Sequence, residues 1–445
     1  MTTPLKLTVQ VLLALLMLAG LYFLGNLVPR TDFQTTLGLF VLLFGLMFLI
    51  FGLADQKTPW LFIFLAGLLF RFSLFLAIPQ WSDDYARFLW DGELVRMQEN
   101  PYSETPRQFL ENHPVEATRL LDQLFPLLNS PDYDSVYPPL NQGVFWLAAQ
   151  ASGGLIANGI ISLRLILLLG EIAVFMLFIR LLRVFNLPLK LLFLYWFNPL
   201  VILEITGNLH FEGLVLLLLL ASVLAVERKK IPLAGGFWGL AVGMKLVPLI
   251  LLPAFVFFKK ARESRLFWIS GSIALLVSFF GLLMDSSWVN FLQSVRLYQG
   301  KFEFNASVYY LLREIGFWIQ GYNTIATLTK VLSVLTLGLV IFFSWKRKPT
   351  TAVELVDLWV LIYLIYLILQ PVVHPWYLIP AFGLSLLTGR NTFLIWSFVV
   401  IFSYRAYGSD PVVEPPLFLA IEYLPVLAGL FMDYFLPKRK HKFKP

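Results

Sequence analysis

Residues 81–102 read WSDDYARFLWDGELVRMQENPY, a run dense in charge set next to apolar segments of membrane-crossing length. As a helix capped by Ser82, this run puts Asp84, Arg87 and Asp91 on one stripe and Tyr85, Phe88, Leu89 and Gly92 on its neighbour, because residues three and four apart share a face. The first stripe can meet a polar ligand, the second lipid or protein.

The rest of the chain reads as scaffolding for that run at a membrane surface. Hydrophobic residues make up 58% and charged residues only 14%, with a mean hydropathy of +0.76, whereas a soluble domain carries about 25% charge. Apolar runs of spanning length or slightly less occur at residues 7–28, 34–54, 60–78, 158–182, 190–203, 212–226, 266–284, 322–345, 352–370, 375–388, 391–407 and 417–436. Together with the pieces 139–152 and 232–258, they predict an all-α polytopic membrane protein of about 13 transmembrane helices. The run from Leu7 to Val28 has no A-x-A cleavage signal and reads as a retained helix. No internal repeat or separate soluble domain is visible, so residues 1–445 read as one domain. The net charge of +7 sits in short clusters at the ends of apolar runs, which argues for topology signals and against nucleic acid. The chain has no cysteine, which excludes thiolate nucleophiles, thiolate metal sites and disulfides.

Basic clusters mark cytoplasmic helix ends. They are Arg180, Arg183 and Lys190; Arg228 to Lys230; Lys259, Lys260, Arg262 and Arg265; Lys346 to Lys348; Arg390; and Lys438 to Lys444. If all lie inside, the piece from Ile231 to Phe258 enters and returns as two short helices with Lys245 near the turn, and the piece from Pro139 to Ser152 is a short helix that does not cross. Residues 81–137, 207–212, 285–321, His374 and 409–416 then share the outer side. The outer loop, residues 79–137, spans about 59 residues, and loops of such length are usually functional. Within it Ala117, Leu120, Leu121, Leu124 and Leu128 recur at helical spacing, predicting a second helix along the interface.

Adjacent carboxylates Asp83 and Asp84 at a helix start can serve the helix dipole or act as a general base. Lys245, a cation inside an apolar run, is a functional-site candidate or a snorkelling side chain. Gly235, Gly239 and Gly243, spaced by four, suggest a close-packing face. Arg164 and Glu171, seven apart, are placed to pair with each other or to hold phosphate. His210 and Glu212 flank a tight turn and can contact sugar hydroxyls or simply satisfy the turn. His374 precedes Pro375 at a helix entrance as a candidate phosphate contact or proton carrier, while Trp376 and Tyr377 suit an interfacial aromatic belt. The four histidines lack metal-ligand spacing and no HExxH occurs. A divalent cation between Asp83 or Asp84 and a phosphate would suit those oxygens. Asn305-Ala306-Ser307 fits a glycosylation acceptor, a pattern common by chance.

Several of these motifs fall in a familiar order. Ser82-Asp83-Asp84-Tyr85, Arg87-Phe88-Leu89-Trp90-Asp91-Gly92, Asn100-Pro101-Tyr102 and Tyr137-Pro138-Pro139-Leu140 are followed by Asn198-Pro199 and Gly207-Asn208-Leu209-His210-Phe211-Glu212. Gly243-Met244-Lys245-Leu246-Val247-Pro248 and His374-Pro375-Trp376-Tyr377 complete the series. Together they resemble GT-C glycosyltransferases, closest to bacterial polyprenol-phosphate-sugar mannosyltransferase-like proteins and more distantly to GPI mannosyltransferase I. The resemblance implies a GT-C fold whose large first external loop is catalytic and contains interfacial helices. It also implies transfer of a hexose, most simply mannose, from a polyprenyl-phosphate donor to an acceptor hydroxyl on the non-cytoplasmic face, with inversion. An acid of the first loop would be the base. Some relatives carry Asp-x-Asp, which aligns with Asp84, and others Asp-Glu, which aligns with Asp83; the helical stripe with Arg87 and Asp91 favours Asp84.

The remaining candidates for substrate contact are Lys245, His374, Arg164, His210, Glu212, Tyr137, Arg87, Asp91 and Tyr377. The acceptor would be a lipid, glycan, protein or small molecule, and the setting a bacterial inner or cell membrane. No Rossmann or P-loop motif is present to cradle a nucleotide, which favours a lipid-linked donor. The leading rival is a polytopic transporter or lipid flippase, which would show repeated halves around a midplane site with the outer loop far from any cavity. A non-catalytic scaffold would lack a carboxylate at the mouth of its groove.

Overall fold

The computed structural model describes residues 3–55, 58–114, 118–258, 261–283, 286–408 and 412–436. Ala117, Lys259, Lys260, Asp285, residues 409–411 and the tail from Lys438 to Lys444 lie outside them. Regular structure among the described residues is helical apart from one isolated parallel bridge, Phe304 to Val372. In chain order the helices are α1 Thr3–Leu27, α2 Phe33–Leu53, α3 Trp60–Phe72, α4 Asp84–Arg96, α5 Pro106–Asn112, α6 Arg119–Leu124, α7 Pro139–Ser152 and α8 Ile156–Val184. They continue as α9 Leu189–Trp196, α10 Pro199–Gly207, α11 Glu212–Glu227, α12 Ile231–Met244, α13 Val247–Val256, α14 Ala261–Leu283 and α15 Ser287–Lys301. The last six are α16 Val308–Gln320, α17 Ile325–Arg347, α18 Ala352–Leu369, α19 Ile379–Ser385, α20 Thr392–Gly408 and α21 Pro416–Tyr434.

Seven of these (α1, α2, α8, α14, α17, α18 and α21) are long and apolar enough to cross a bilayer, and α9 with α10 makes an eighth if counted as one span bent by 50°. Leu12, Val277 and Val334 are among the large apolar side chains exposed on them, as lipid-facing surfaces require. The chain is an all-α, multi-pass membrane protein. Among the described residues, shorter apolar helices, α3, α12, α13 and α20, accompany these full-length spans, and prolines break several of the apolar runs. Pro199 restarts the helix after Trp196, and the run 375–388 yields only a 3₁₀ turn, Pro375–Leu378, and the 7-residue α19.

The loop helix α4 starts one residue later than expected. Asp83, not Ser82, is its N-cap residue, although the Ser82 hydroxyl still accepts the Asp84 N–H at 3.3 Å. The second loop helix is short, α6 followed by the 3₁₀ turn Phe125–Leu127, and α5 precedes it with a complete Thr105–Gln108 capping box. Helix α4 rests on α7. Phe88 stacks on Phe145 at 4.8 Å between ring centroids and meets Phe211 and Tyr137 edge-on. Gly92 is what lets the two backbones approach, since a Cβ there would lie 2.3 Å from the Phe145 carbonyl oxygen. Gly92→Ala should therefore cost about 1–3 kcal/mol, read as a lowered unfolding temperature of the detergent-solubilised protein. Gly235, Gly239 and Gly243 form the expected packing face: added Cβ atoms would come within 2.2 to 2.7 Å of Phe267, Gly271 and Ser278 on α14.

Helices α12 and α13 form the expected pair of short helices with Lys245 at the break between them. A buried ion pair joins α3 to α8, Arg71 Nη2 to Glu171 at 2.8 Å, with Tyr195 donating to the other Glu171 oxygen and the guanidinium 3.5 Å over the Trp196 ring. Glu171 thus pairs with Arg71 rather than with Arg164. Asn305 is fully buried, donating to Glu422 at 2.9 Å, so the acceptor-like triplet is structural.

Charge divides the two ends of the helices. Arg347 and Arg390 converge on Asp357 near the start of α18, and Asp433 at the end of α21 accepts the Asn391 and Thr392 N–H groups. His374 follows the opposite end of α18. Helix α20 likewise runs from the Arg390 end to Tyr404 and Tyr407, where Arg30 lies 4.9 Å over the Tyr407 ring.

Candidate active site

Asp83 and Asp84 part company at the start of α4. Asp83 pairs with Arg30 at 2.7 Å, and both side chains are partly exposed. Asp84 instead faces the turn between α10 and α11, its Oδ2 3.7 Å from His210 Nε2, with Asn129 at 3.5 Å on its other oxygen. Arg87 and Asp91 do not share that environment. They pair with each other at 2.7 Å, Arg87 donates to the Tyr133 carbonyl, and buried Asp91 accepts from Ser135 and Gln142. The stripe expected to meet a polar ligand is therefore divided: Asp84 stays at the cluster, and the Arg87–Asp91 pair braces the loop against α4 and α7. Tyr137 is part of this brace, its carbonyl accepting from Tyr102 at 2.6 Å and its ring edge against Phe88. Asp84 and Asp91 sit near its hydroxyl, but burial is the main reason that group is pushed well above its ordinary range.

The turn that carries His210 is unusual backbone. Residues Ile202–Gly207 are π-helical, a form frequent at functional sites, and Leu209 has φ of +67°. A leucine in that region costs about 1–3 kcal/mol and persists only when its surroundings over-determine it. Arg164 does so. Its guanidinium donates to the carbonyls of Thr206, Gly207 and Phe75 at 2.7, 3.1 and 2.6 Å. This residue, a candidate phosphate ligand by sequence, spends its donors on backbone.

His210 Nδ1 lies 3.0 Å from Glu204, which also takes hydrogen bonds from Asn208 and from the Tyr404 hydroxyl. Burial disfavours a charged ring, but Asp84 and Glu204 on either side outweigh it and raise His210 to about 9. For Asp84, burial alone would push the carboxyl up; the neighbouring His210 overcomes this and holds it below its ordinary 3.8.

A second pole follows from α11 and the α12–α13 break. Lys245 Nζ donates to Glu212, the first residue of α11, and lies 4.3 Å over the Tyr377 ring. The Tyr377 hydroxyl meets that of Tyr298 at 3.0 Å, and Tyr298 in turn meets His374 Nε2 at 3.0 Å. Burial lowers His374 to about 3, with Asp84 opposing and His210 and Lys245 adding to the drop, so its ring is neutral. Trp376 joins the poles, stacked on His210 at 3.7 Å and on His374 at 4.5 Å between centroids. It is 9% exposed. Trp376 and Tyr377 are thus parts of this cluster and not of an interfacial belt. His210 Nε2, facing Asp84, and His374 Nδ1 are buried without hydrogen-bond partners.

The sequence motifs thus bring together Asp84, His210, Glu212, Lys245, His374 and Tyr377, and leave Asp83, Arg164, Arg87 and Asp91 in supporting contacts. Three residues were missed. Glu204 carries the signal that marks Lys245, a charge beside an apolar run; Tyr298 and Tyr404 carry none, because tyrosines are common in such segments. Among the described residues no group of three or more His, Asp or Glu side chains is placed to hold a metal ion.

No curated protein matches the chain. Residues 11–261, more than half of its length and including Asp83, Asp84, Arg164, Glu204, His210, Glu212 and Lys245, match the family described as alpha-(1->6)-mannopyranosyltransferase, N-terminal domain. The chain belongs to this MptA_B family of mannosyltransferases.

Proposed function

We propose that the protein moves mannose from a polyprenyl-phosphate donor to an acceptor hydroxyl on the outer face of a bacterial inner or cell membrane, with inversion at the anomeric carbon, on a GT-C type scaffold. The observation that carries this reading is the single polar cluster in which a carboxylate, Asp84, and an ammonium, Lys245, are linked through His210, Trp376 and Tyr377. Asp84 takes the acceptor O–H proton as the oxygen attacks the anomeric carbon, and the bond to the lipid phosphate breaks with its electron pair on the phosphate. Lys245 faces the charge that develops there; one of its three N–H donors goes to Glu212, leaving two for phosphate oxygens. The Tyr377 ring lies beside Lys245, and its hydroxyl meets that of Tyr298.

The basic side chains gathered near Asp357, at the end of α18 away from His374, support an outward-facing cluster by the positive-inside tendency. A lipid-linked donor suits that side, where nucleotide sugars are not supplied. A transporter or flippase is disfavoured because the outer loop contributes Asp84 to the buried cluster. The test is donor choice. Purified, reconstituted protein should label an extracted membrane acceptor from polyprenyl-phosphate [14C]mannose and not from a nucleotide-linked mannose; labelling from the nucleotide sugar alone would sink the reading.

A further inference from the structure

Glu204 is a buried carboxylate without a part in the chemistry described above, and its neighbours are specific. It sits in the π-helical turn Ile202–Gly207, is 0% exposed, and receives His210 Nδ1 at 3.0 Å, Asn208 Nδ2 at 3.1 Å and the Tyr404 hydroxyl from α20. Its own carbonyl accepts the His210 N–H at 3.0 Å, so side chain and backbone hold the same residue. Asn208 in turn accepts the Trp81 N–H at 3.3 Å, tying this turn to the segment that leads into Asp84. The other nitrogen of His210 faces Asp84 and has no hydrogen-bond partner.

A carboxylate behind an imidazole fixes which ring nitrogen bears hydrogen and how the ring is turned; this arrangement orients histidines in metal sites and hydrolase triads. Here the histidine is aimed at another carboxylate. We infer that Glu204, itself anchored by Tyr404, is a positioning residue that sets His210 against Asp84 and thereby keeps Asp84 ionised and turned toward the acceptor hydroxyl. The inference rests on the proposed role of Asp84 as base and adds what makes a half-buried carboxylate usable there. Without the His210 charge, burial would protonate Asp84 at higher pH; without Glu204, a buried His210 would not keep its charge.

Other groups face this pair. Glu212 acts on His210; His374 acts on Asp84; Asp84 in turn lies near Tyr137, Tyr298 and Tyr407; Arg30 sits near Tyr404. None of them contacts His210 Nδ1 in place of Glu204.

The sign follows from the charges. Asp84 works deprotonated, so losing the His210 charge moves the acidic limb of kcat upward in pH. With the full chain reconstituted and polyprenyl-phosphate mannose as donor, Glu204→Gln should lower kcat by about 10–100-fold near neutral pH, leave donor KM unchanged, and shift the acidic limb up by about one pH unit. Tyr404→Phe, which spares the carboxylate, should shift the limb the same way by less, and it guards against a Glu204→Gln protein that does not fold. In an Asp84→Asn background, Glu204→Gln should add little further loss. A uniform loss at every pH, or a full additional loss in that background, would overturn the positioning role and leave Asp84 as base. Full transfer by Asp84→Asn alone would instead overturn the base assignment, and this inference with it.

Discussion

Asp84→Asn should lower kcat/KM for mannosyl transfer by about 10³-fold, roughly 4 kcal/mol of transition-state stabilisation, while Asp83→Asn changes it by less than about fivefold. The contrast comes from where two adjacent carboxylates point. The Asp83 partner, Arg30, is 31% exposed in its side chain and Asp83 43%, and a solvent-exposed pair contributes about 0–1 kcal/mol. Asp84 has no cationic partner but His210, beside two buried nitrogens that lack hydrogen bonds. An Asn is nearly isosteric, so the cluster keeps its packing while it loses the proton acceptor and the negative charge facing His210. The wild-type pH profile should match: activity persists as pH falls until Asp84 protonates below 3.8. Equal loss in both variants would mean that the acids serve the N-terminus of α4.

How far the sequence alone leads depends on what each residue type can reveal. Charges inside or beside apolar runs are costly and therefore visible, which is why Lys245, His210 and Glu212 could be named. Helical spacing also grouped Asp84 with Arg87 and Asp91, a grouping the structure does not keep, because the Arg87–Asp91 pair binds Ser135, Gln142 and the Tyr133 carbonyl while Asp84 faces His210. Arg164 shows the complementary difficulty: a buried guanidinium announces a demand for acceptors, but backbone carbonyls leave no trace in a sequence. Trp376 and Tyr377 beside Pro375 look alike whether they line a headgroup layer or pack between two histidines. The same ambiguity affected the helix count, since runs such as 375–388 have the composition of a span but the prolines of a broken one.

Lys245→Ala should reduce kcat/KM by about 10²–10³-fold, and the reason extends beyond the lost cation. Glu212 is 2% exposed in its side chain and holds Lys245 directly. Removing the ammonium leaves a buried carboxylate uncompensated, close to where the donor phosphate would gather charge, and breaking one member of such a pair is costly in itself. The two residues should therefore be strongly coupled: Glu212→Gln added to Lys245→Ala should recover about tenfold of the loss, although Glu212→Gln alone lowers activity. A double-mutant cycle on kcat/KM measures this coupling, expected at about 1–2 kcal/mol in favour of the double variant. Lys245→Arg should retain more activity than alanine, limited by the space over the Tyr377 ring, where the ammonium now lies 4.3 Å from the centroid. If Lys245 merely reaches toward the interface from a break between two short helices, the single and double variants would transfer mannose at nearly the wild-type rate, and the leaving phosphate would need another cation.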